Sequence, residues 1–246
     1  MNPSKDYTGL AGSRIAVTGG TSGLGLALVR EWHRYGARVA FVARTREDVE
    51  RVAAELAGSI GIVGDIARKE DIHPIALQVL GGLGGLDVLV NNASSLGPVP
   101  LAPLADTECE DFESALAANV LGPFRLTRAL LGALRASAAE GRGGVVLNIS
   151  SDAAKTPYPG WGAYGSSKAA LVHLSAIWDR ELEGEGVRVI ARDPGDMDTP
   201  LHRLAVPDAD PATLLKPEAS ARELTRVIAA ELEAIARRRA PQAAAA

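Results

Sequence analysis

Arg14-Ile-Ala-Val-Thr-Gly-Gly-Thr-Ser-Gly-Leu-Gly25 is the stretch on which the reading of this chain turns. Its first five residues are a short apolar strand. The glycines follow at once, and a helical pattern then runs from Leu26 to Tyr35. Strand, glycine turn and helix together place backbone N–H groups and a helix N-terminus against a phosphate. Gly19 permits the tight turn, while Gly23 and Gly25 let a ligand and the sheet approach closely. The spacing is T-G-x-x-x-G-x-G rather than G-x-G-x-x-G. In its strand–helix context it implies dinucleotide binding.

Outward from this unit, strands and helices alternate. Strands are expected at 36–43, 59–63, 85–93, 143–151 and 187–193. Helices are expected at 47–57, 68–83, 107–136, 163–183 and 217–237, with a Pro- and Asp-rich connector at 201–216. The run 85–93 is almost continuously apolar, as a strand covered on both faces must be. Nothing in the composition marks an internal linker. The pattern predicts one α/β domain over 1–236, a doubly wound parallel sheet of about six strands in the order 3-2-1-4-5-6 with helices on both faces. Ligands in such sheets bind beyond the carboxyl ends of the strands. The glycine turn, Arg44, Asp65, Asn91, Ser151 and Pro194-Gly195 all fall at those ends. Arg44 stands beside the position where an acid would bind an adenosine ribose 2′-hydroxyl. Ala43 replaces the acid, so the arginine reads as accommodating a 2′-phosphate, against the plainer reading of an exposed helix-opening arginine.

Tyr164-Gly-Ser-Ser-Lys168 lies in the fifth expected helix. A spacing of four puts both side chains on one helix face. A fixed positive charge favours a phenolate, and bringing a free tyrosine from about 10 to about 7 needs roughly 4 kcal/mol. The expectation is therefore a Tyr164 that titrates well below its free value. Ser151 ends the apolar run from Val145 and can face the phenol across the sheet mouth. Taken alone, a Tyr–Lys pair at this spacing is common on solvated helices.

Composition narrows the class. The chain has 246 residues, 47% hydrophobic, and a net charge of −4, which gives no reason to expect a nucleic-acid partner. Cys109 is the lone cysteine, which fits a reducing compartment. No apolar run is long enough for a membrane helix, and the first residues lack an apolar signal core, so a cytoplasmic protein off the membrane is expected. No metal site is expected. The segment 237–246, basic then alanine-rich, reads as a flexible tail.

Taken jointly and in order, T-G-G-T-S-G-L-G at 18–25, Asp65, N-N-A at 91–93, Asn119, Ser151, Tyr164, Lys168 and Pro194-Gly195 with Thr199 resemble the short-chain dehydrogenase/reductase family over about residues 10 to 236. The resemblance implies an NAD(P)-dependent oxidoreductase. Tyr164 would be the general acid, Ser151 would orient the carbonyl, Lys168 would hold the nicotinamide ribose and lower the Tyr164 pKa, and Asn119 would position a relay water. The cofactor would be held by Gly19, Thr21, Ser22, Gly23, Leu24, Gly25, Arg44, Asp65, Ile66, Asn91, Ala93, Pro194, Gly195, Met197 and Thr199, with Tyr164 and Lys168. Ser22 is not the basic residue that often supports NADP binding, which leaves the 2′-phosphate mainly to Arg44. Ser94 stands where the family usually has glycine, and filling a turn is its simpler reading. Asp193 precedes Pro-Gly where Asn or Arg is more usual, and the family's usual last strand is absent.

The reading that results is an NADPH-dependent reduction of a ketone or aldehyde to an alcohol, reversible, with NAD(H) the less favoured cofactor. Candidate substrate-side residues are Ser94, Ser95 and Leu96; Asp152 to Ala154; Tyr158 and Trp161; Asp196 and Met197; and Leu201, His202 and Leu204, the last three in a lid at 199–216, with His202 on its surface. The alternative is an NADP(H)-binding sensor on the same fold; an epimerase or a dehalogenase-like lyase fits less well, because the cofactor turn is intact and no added domain is present. The resemblance also implies a homodimer through the Asn119 and Tyr164 helices, with a homotetramer less certain. Leu116, Val120, Phe124, Leu171 and Leu174 are its apolar candidates.

Overall fold

The computed structural model describes residues 8–243, and side-chain surroundings over 9–237. Six parallel strands form one sheet in the order β3-β2-β1-β4-β5-β6. They are β1 (Arg14–Thr18), β2 (Arg38–Ala43), β3 (Ile60–Val63), β4 (Val88–Asn91), β5 (Val145–Ile149) and β6 (Arg188–Arg192). The helices are α1 (Gly23–Arg34), α2 (Arg46–Glu55), α3 (Ile72–Leu83), α4 (Cys109–Leu116), α5 (Gly122–Ala139), α6 (Gly162–Leu182), α7 (Pro200–Ala205) and α8 (Pro217–Ala243).

Successive strand side chains point to opposite faces, so each strand feeds two cores. Ile15, Val17, Val39, Phe41, Val145 and Leu147 pack with Leu28, Trp32, Val52, Leu224 and Ile228, which puts α1, α2 and α8 on one face. Ala16, Ala40, Val42, Leu89 and Val146 pack with Ile75, Val79, Leu126, Leu130 and Leu182, which puts α3, α5 and α6 on the other. This double cover is why the strands read as unbroken apolar runs.

Four expected elements differ. The strand read at 85–93 is confined to Val88–Asn91, because Gly84 and Gly85 hold φ of 69° and 141° and cannot lie in a ladder. The helix read at 107–136 divides into α4 and α5 about a π-helical turn, Ala117–Leu121, which holds Asn119. Pro123 has no N–H to close the bond that the Asn119 carbonyl would accept in an α-helix, and the backbone widens there. The connector is not featureless: Thr199 Oγ1 accepts from the His202 N–H at 3.2 Å and caps α7. Helix α8 continues past Arg237, where the sequence suggested a tail. The last three residues of that tail, and the start of the chain that was read for a signal core, lie outside the described residues.

Candidate active site

Beyond the carboxyl ends of the strands lies a cleft of about 850 Å³. At one end the turn after β1 is bound to β2, since Gly19 N and Gly20 N both donate to Val42 O, at 2.8 and 3.2 Å. A Cβ at Gly25 would sit 2.0 Å from Gly19 O, so α1 rests directly on the turn. Ser22, the N-cap of α1, makes no side-chain cap bond, which leaves the first N–H groups of that helix open to an anion. This glycine cradle fits a dinucleotide pyrophosphate. Arg44 lines the cleft at the end of β2. Arg51 lines it too, with Nη2 2.9 Å from Asp48 Oδ1 and 3.4 Å from Thr21 O.

At the other end are Ser151, Tyr164 and Lys168. Lys168 is 2% exposed and Tyr164 7%. The Lys168 Nζ donates to Ile149 O at 2.8 Å and lies 5.4 Å from the Tyr164 ring centroid. Burial lowers the Lys168 pKa to about 8. Burial also pushes Tyr164 up to about 12; hydrogen bonding with the Ser151 and Ser94 hydroxyls opposes this, and the Asp193 and Asp152 carboxylates add to it. The expected lowering of Tyr164 is therefore reversed in the protein without cofactor. The ammonium is committed to a backbone carbonyl, and desolvation outweighs its attraction for a phenolate.

Ser151 Oγ donates to Asp152 Oδ1 at 2.9 Å and accepts from Ala153 N at 3.2 Å. Asp152 Oδ2 accepts from the Tyr158 hydroxyl at 2.7 Å. Trp161 lies edge-on to Tyr164, centroids 5.7 Å apart, and completes an aromatic wall with Tyr158.

All the cofactor candidates from the sequence line this cleft except Asn91. Its side chain faces the sheet interior, where Nδ2 donates to Asn148 Oδ1 at 2.7 Å and Thr127 Oγ1 at 3.2 Å. Asn92, not singled out by sequence, does the bracing instead: its Nδ2 donates to Thr18 O at 2.9 Å and Gly19 O at 3.3 Å, fixing the phosphate turn. Asn119 is 1% exposed and also lies behind the cleft wall. Its Oδ1 accepts from Ser95 N (2.8 Å) and Ser94 Oγ (3.0 Å); its Nδ2 donates to Ser95 O and Ser167 Oγ, each at 2.8 Å. Ser167 Oγ donates in turn to Tyr164 O at 2.6 Å. The Asn119 side chain thus ties the loop after β4 to α6.

The substrate-side candidates line the cleft except Ala154. His202, expected on the lid surface, instead lines the cleft with a buried Nδ1. Thr199 closes on the turn, its Cγ2 3.2 Å from where a Gly23 Cβ would be. Leu171, one of the proposed interface residues, is buried in its own subunit, whereas Phe124 pairs with Trp178, centroids 5.4 Å apart, near exposed Leu121 and Ile177.

The family model described as short chain dehydrogenase matches residues 13–210. A short chain dehydrogenase of Pseudocercospora fijiensis is 37% identical over 206 residues, covering 81% of this chain, and this chain spans only 64% of that protein's length. The crystal structure of 3-ketoacyl-(acyl-carrier-protein) reductase from Brucella melitensis complexed with NADH superposes with a TM-score of 0.83 at 30% identity, over 89% of this chain and 91% of that one. A short chain dehydrogenase structure from Shigella flexneri complexed with NADP gives 0.81 at 26%, over 90% and 93%.

Proposed function

Since the chain belongs to the short-chain dehydrogenase family and is an oxidoreductase that uses a nicotinamide cofactor, we propose that it is an NADPH-dependent carbonyl reductase, reversible in principle. One observation carries the reading: Ser151, Tyr164 and Lys168 meet at one end of a single cleft whose other end is a glycine cradle flanked by Arg44. When bound, the cofactor supplies the hydride. A phenol that titrates at about 12 stays protonated at neutral pH and serves as the acid that gives its proton to the carbonyl oxygen. The Ser151 hydroxyl turns from Asp152 to donate to the same oxygen and orients it. Lys168, already fixed by Ile149 O, holds the nicotinamide ribose. The Asn119 side chain has its polar atoms engaged, so a relay water is held by its backbone carbonyl, released from α-helical bonding by Pro123.

Preference for NADP(H) over NAD(H) rests on Arg44, with Arg51 beside it, as charge-assisted partners of a 2′-phosphate. Asp152, Asp193 and Asp196 line the other end with Tyr158 and Trp161. That field suits neutral or cationic ketones better than anionic ones. The aromatic wall suits a hydrophobic or ring-bearing group.

We further read residues 1–236 as one catalytic domain, working in the cytoplasm as a homodimer across Leu121, Phe124, Ile177 and Trp178, with a homotetramer as the larger assembly. A monomer by light scattering at micromolar concentration would refute the assembly. The functional test is NADPH consumption over a panel of ketones, aldehydes, quinones and imines. Turnover of a carbonyl sustains the reading. Tight NADPH binding with no turnover on any of them would favour a cofactor-binding sensor.

A further inference from the structure

Asp152 shares one of its oxygens with the group that orients the substrate. Its Oδ1 accepts from the Ser151 hydroxyl at 2.9 Å and from Ala153 N at 2.7 Å, and its Oδ2 accepts from the Tyr158 hydroxyl at 2.7 Å. Asp152, Ser151 and Tyr158 all line the cleft. Among the described residues no Lys, Arg or His pairs with this carboxylate. Two of its three donors stay where they are during a reaction. The Ala153 N–H is fixed in the 3-10 turn Asp152–Ala154, and Tyr158 belongs to the aromatic wall, its ring centroid 6.4 Å from that of Trp161. The Ser151 hydroxyl is the donor that leaves, because it turns to the substrate carbonyl. Oδ1 is then a charged acceptor short of one donor, and once a substrate shuts out water that shortage costs free energy.

We propose that Asp152 sets the substrate class, selecting ketones that carry an O–H or N–H donor on the carbon next to the carbonyl. The inference rests on the reductase reading, in which Ser151 bonds the carbonyl oxygen. The carbonyl oxygen then lies one hydrogen bond from Ser151 Oγ, and Asp152 Oδ1 lies one hydrogen bond from the same atom. A donor on the neighbouring carbon, eclipsed with the carbonyl, sits within a hydrogen-bond length of the carbonyl oxygen. It therefore reaches Oδ1 and takes the place that Ser151 vacates. The exchange is complete only for a substrate that brings its own donor; a plain ketone leaves Oδ1 short, and an anionic neighbour is repelled. In the reduction the carbonyl carbon gains the hydride that the cofactor supplies, and its oxygen gains the Tyr164 proton. The products are NADP⁺ and a vicinal diol or amino alcohol, and Asp152 stays ionised throughout.

The test compares acetophenone with its α-hydroxy, α-methoxy and α-amino derivatives, whose common ring suits the wall of Tyr158 and Trp161. In the parent, kcat/KM with NADPH should favour the hydroxy over the methoxy ketone, or the amino over the plain one, by about tenfold, the low end for a hydrogen bond to a charged group. In Asp152→Ala these ratios should fall to near one. A ratio cancels any general loss of activity from a disturbed Ser151, so a merely structural role would not move it. Asp152→Asn tells the two donors apart. The Ala153 N–H keeps the amide oxygen at the Oδ1 position, so a preference for hydroxyl should survive and one for ammonium should be lost. A second measurement needs no turnover: the affinities of the same ketones for the NADP⁺ complex, read by saturation-transfer NMR, should show the same ratios. Affinity ratios that collapse in Asp152→Ala, in a protein that turns over no ketone, sustain the role of Asp152 while the reductase reading fails. Parent ratios near one for both donors, ratios retained in Asp152→Ala, or no ketone bound to the NADP⁺ complex would overturn the proposal.

Discussion

The two ends of the sheet bury charge in opposite ways. At the amino ends Asp87, its side chain 1% exposed, takes Arg14 Nη2 at 2.6 Å, Arg14 N at 2.8 Å and the Ser137 hydroxyl at 2.6 Å, with Arg142 at 3.6 Å. Burial pushes its carboxyl up, yet the bonds from Arg14 and Ser137 outweigh that and leave it below the usual range. At the carboxyl ends Lys168 has a carbonyl for a partner and Tyr164 has hydroxyls, and burial drives both toward neutrality. One end pairs its charge and gains rigidity. The other leaves its titrating groups without counter-charges, at a cost in stability, and keeps protons that can move.

The largest test of this contrast is Tyr164→Phe. Turnover should fall by about 10²–10⁴-fold, the usual worth of a positioned acid, with NADPH affinity and thermal midpoint nearly unchanged. Retention of turnover within a few-fold would put the proton chemistry elsewhere. Next in size, Asp87→Ala strands a half-screened Arg14 and a buried Ser137, and should lower unfolding free energy by about 2–3 kcal/mol in denaturant titrations. The activity of the folded fraction should be unchanged, and an equal loss at both ends would erase the distinction drawn here.

Lys168→Met should then stabilise the cofactor-free protein at pH 7, by about 2 kcal/mol, while abolishing turnover and weakening cofactor binding. The sign follows from linkage. With a folded pKa of about 8 against 10.5, the unfolded chain holds more protons between those values, so parent stability from this group rises with pH across that window. Tyr164 acts oppositely, because stability falls as pH rises from 10 towards 12. Stability profiles of the Lys168→Met protein lacking the first slope would agree; an unchanged slope would not. Smallest, Arg44→Ala should reduce the ratio of NADPH to NADH affinity by about tenfold, near 1.4 kcal/mol, and Arg51→Ala by less, since Arg51 is shared with Asp48. Equal binding of both cofactors by the parent would remove the basis for the preference.

The elements were legible because their signals are local, an apolar run, a glycine turn and an amphipathic helix, repeated, and their order followed from right-handed crossovers and a switch point. Lys168 was legible as Tyr164's neighbour from spacing alone. Its effect was not, since desolvation depends on which elements close over it. Where the Asn91 side chain points was not legible, because β4 is apolar on both faces and alternation could not say which Asn looks outward. The π turn at Asn119 differs from an α-helix by one residue, too little to disturb a helical pattern, though Pro123 was its visible cause. Arg51 reaches the cleft only because α2 packs beside Thr21, a placement that spacing from Arg44 does not disclose.

The pairing of α1 with α8 bears on how such a chain is made. Trp32 Nε1 donates to Thr225 Oγ1 at 3.0 Å, across 193 positions of sequence. Leu28, Val29 and Trp32 are fully covered only when Leu224 and Ile228 arrive. During synthesis the phosphate turn and its helix leave the ribosome well before α8, and the face beneath them stays open until α8 follows. Contacts of such separation slow folding, and the open face is a site for chaperones or for aggregation in the meantime. Ribosome stalling before Pro217 should therefore leave a nascent chain that is protease-sensitive at α1, and resistance should appear only once α8 has emerged.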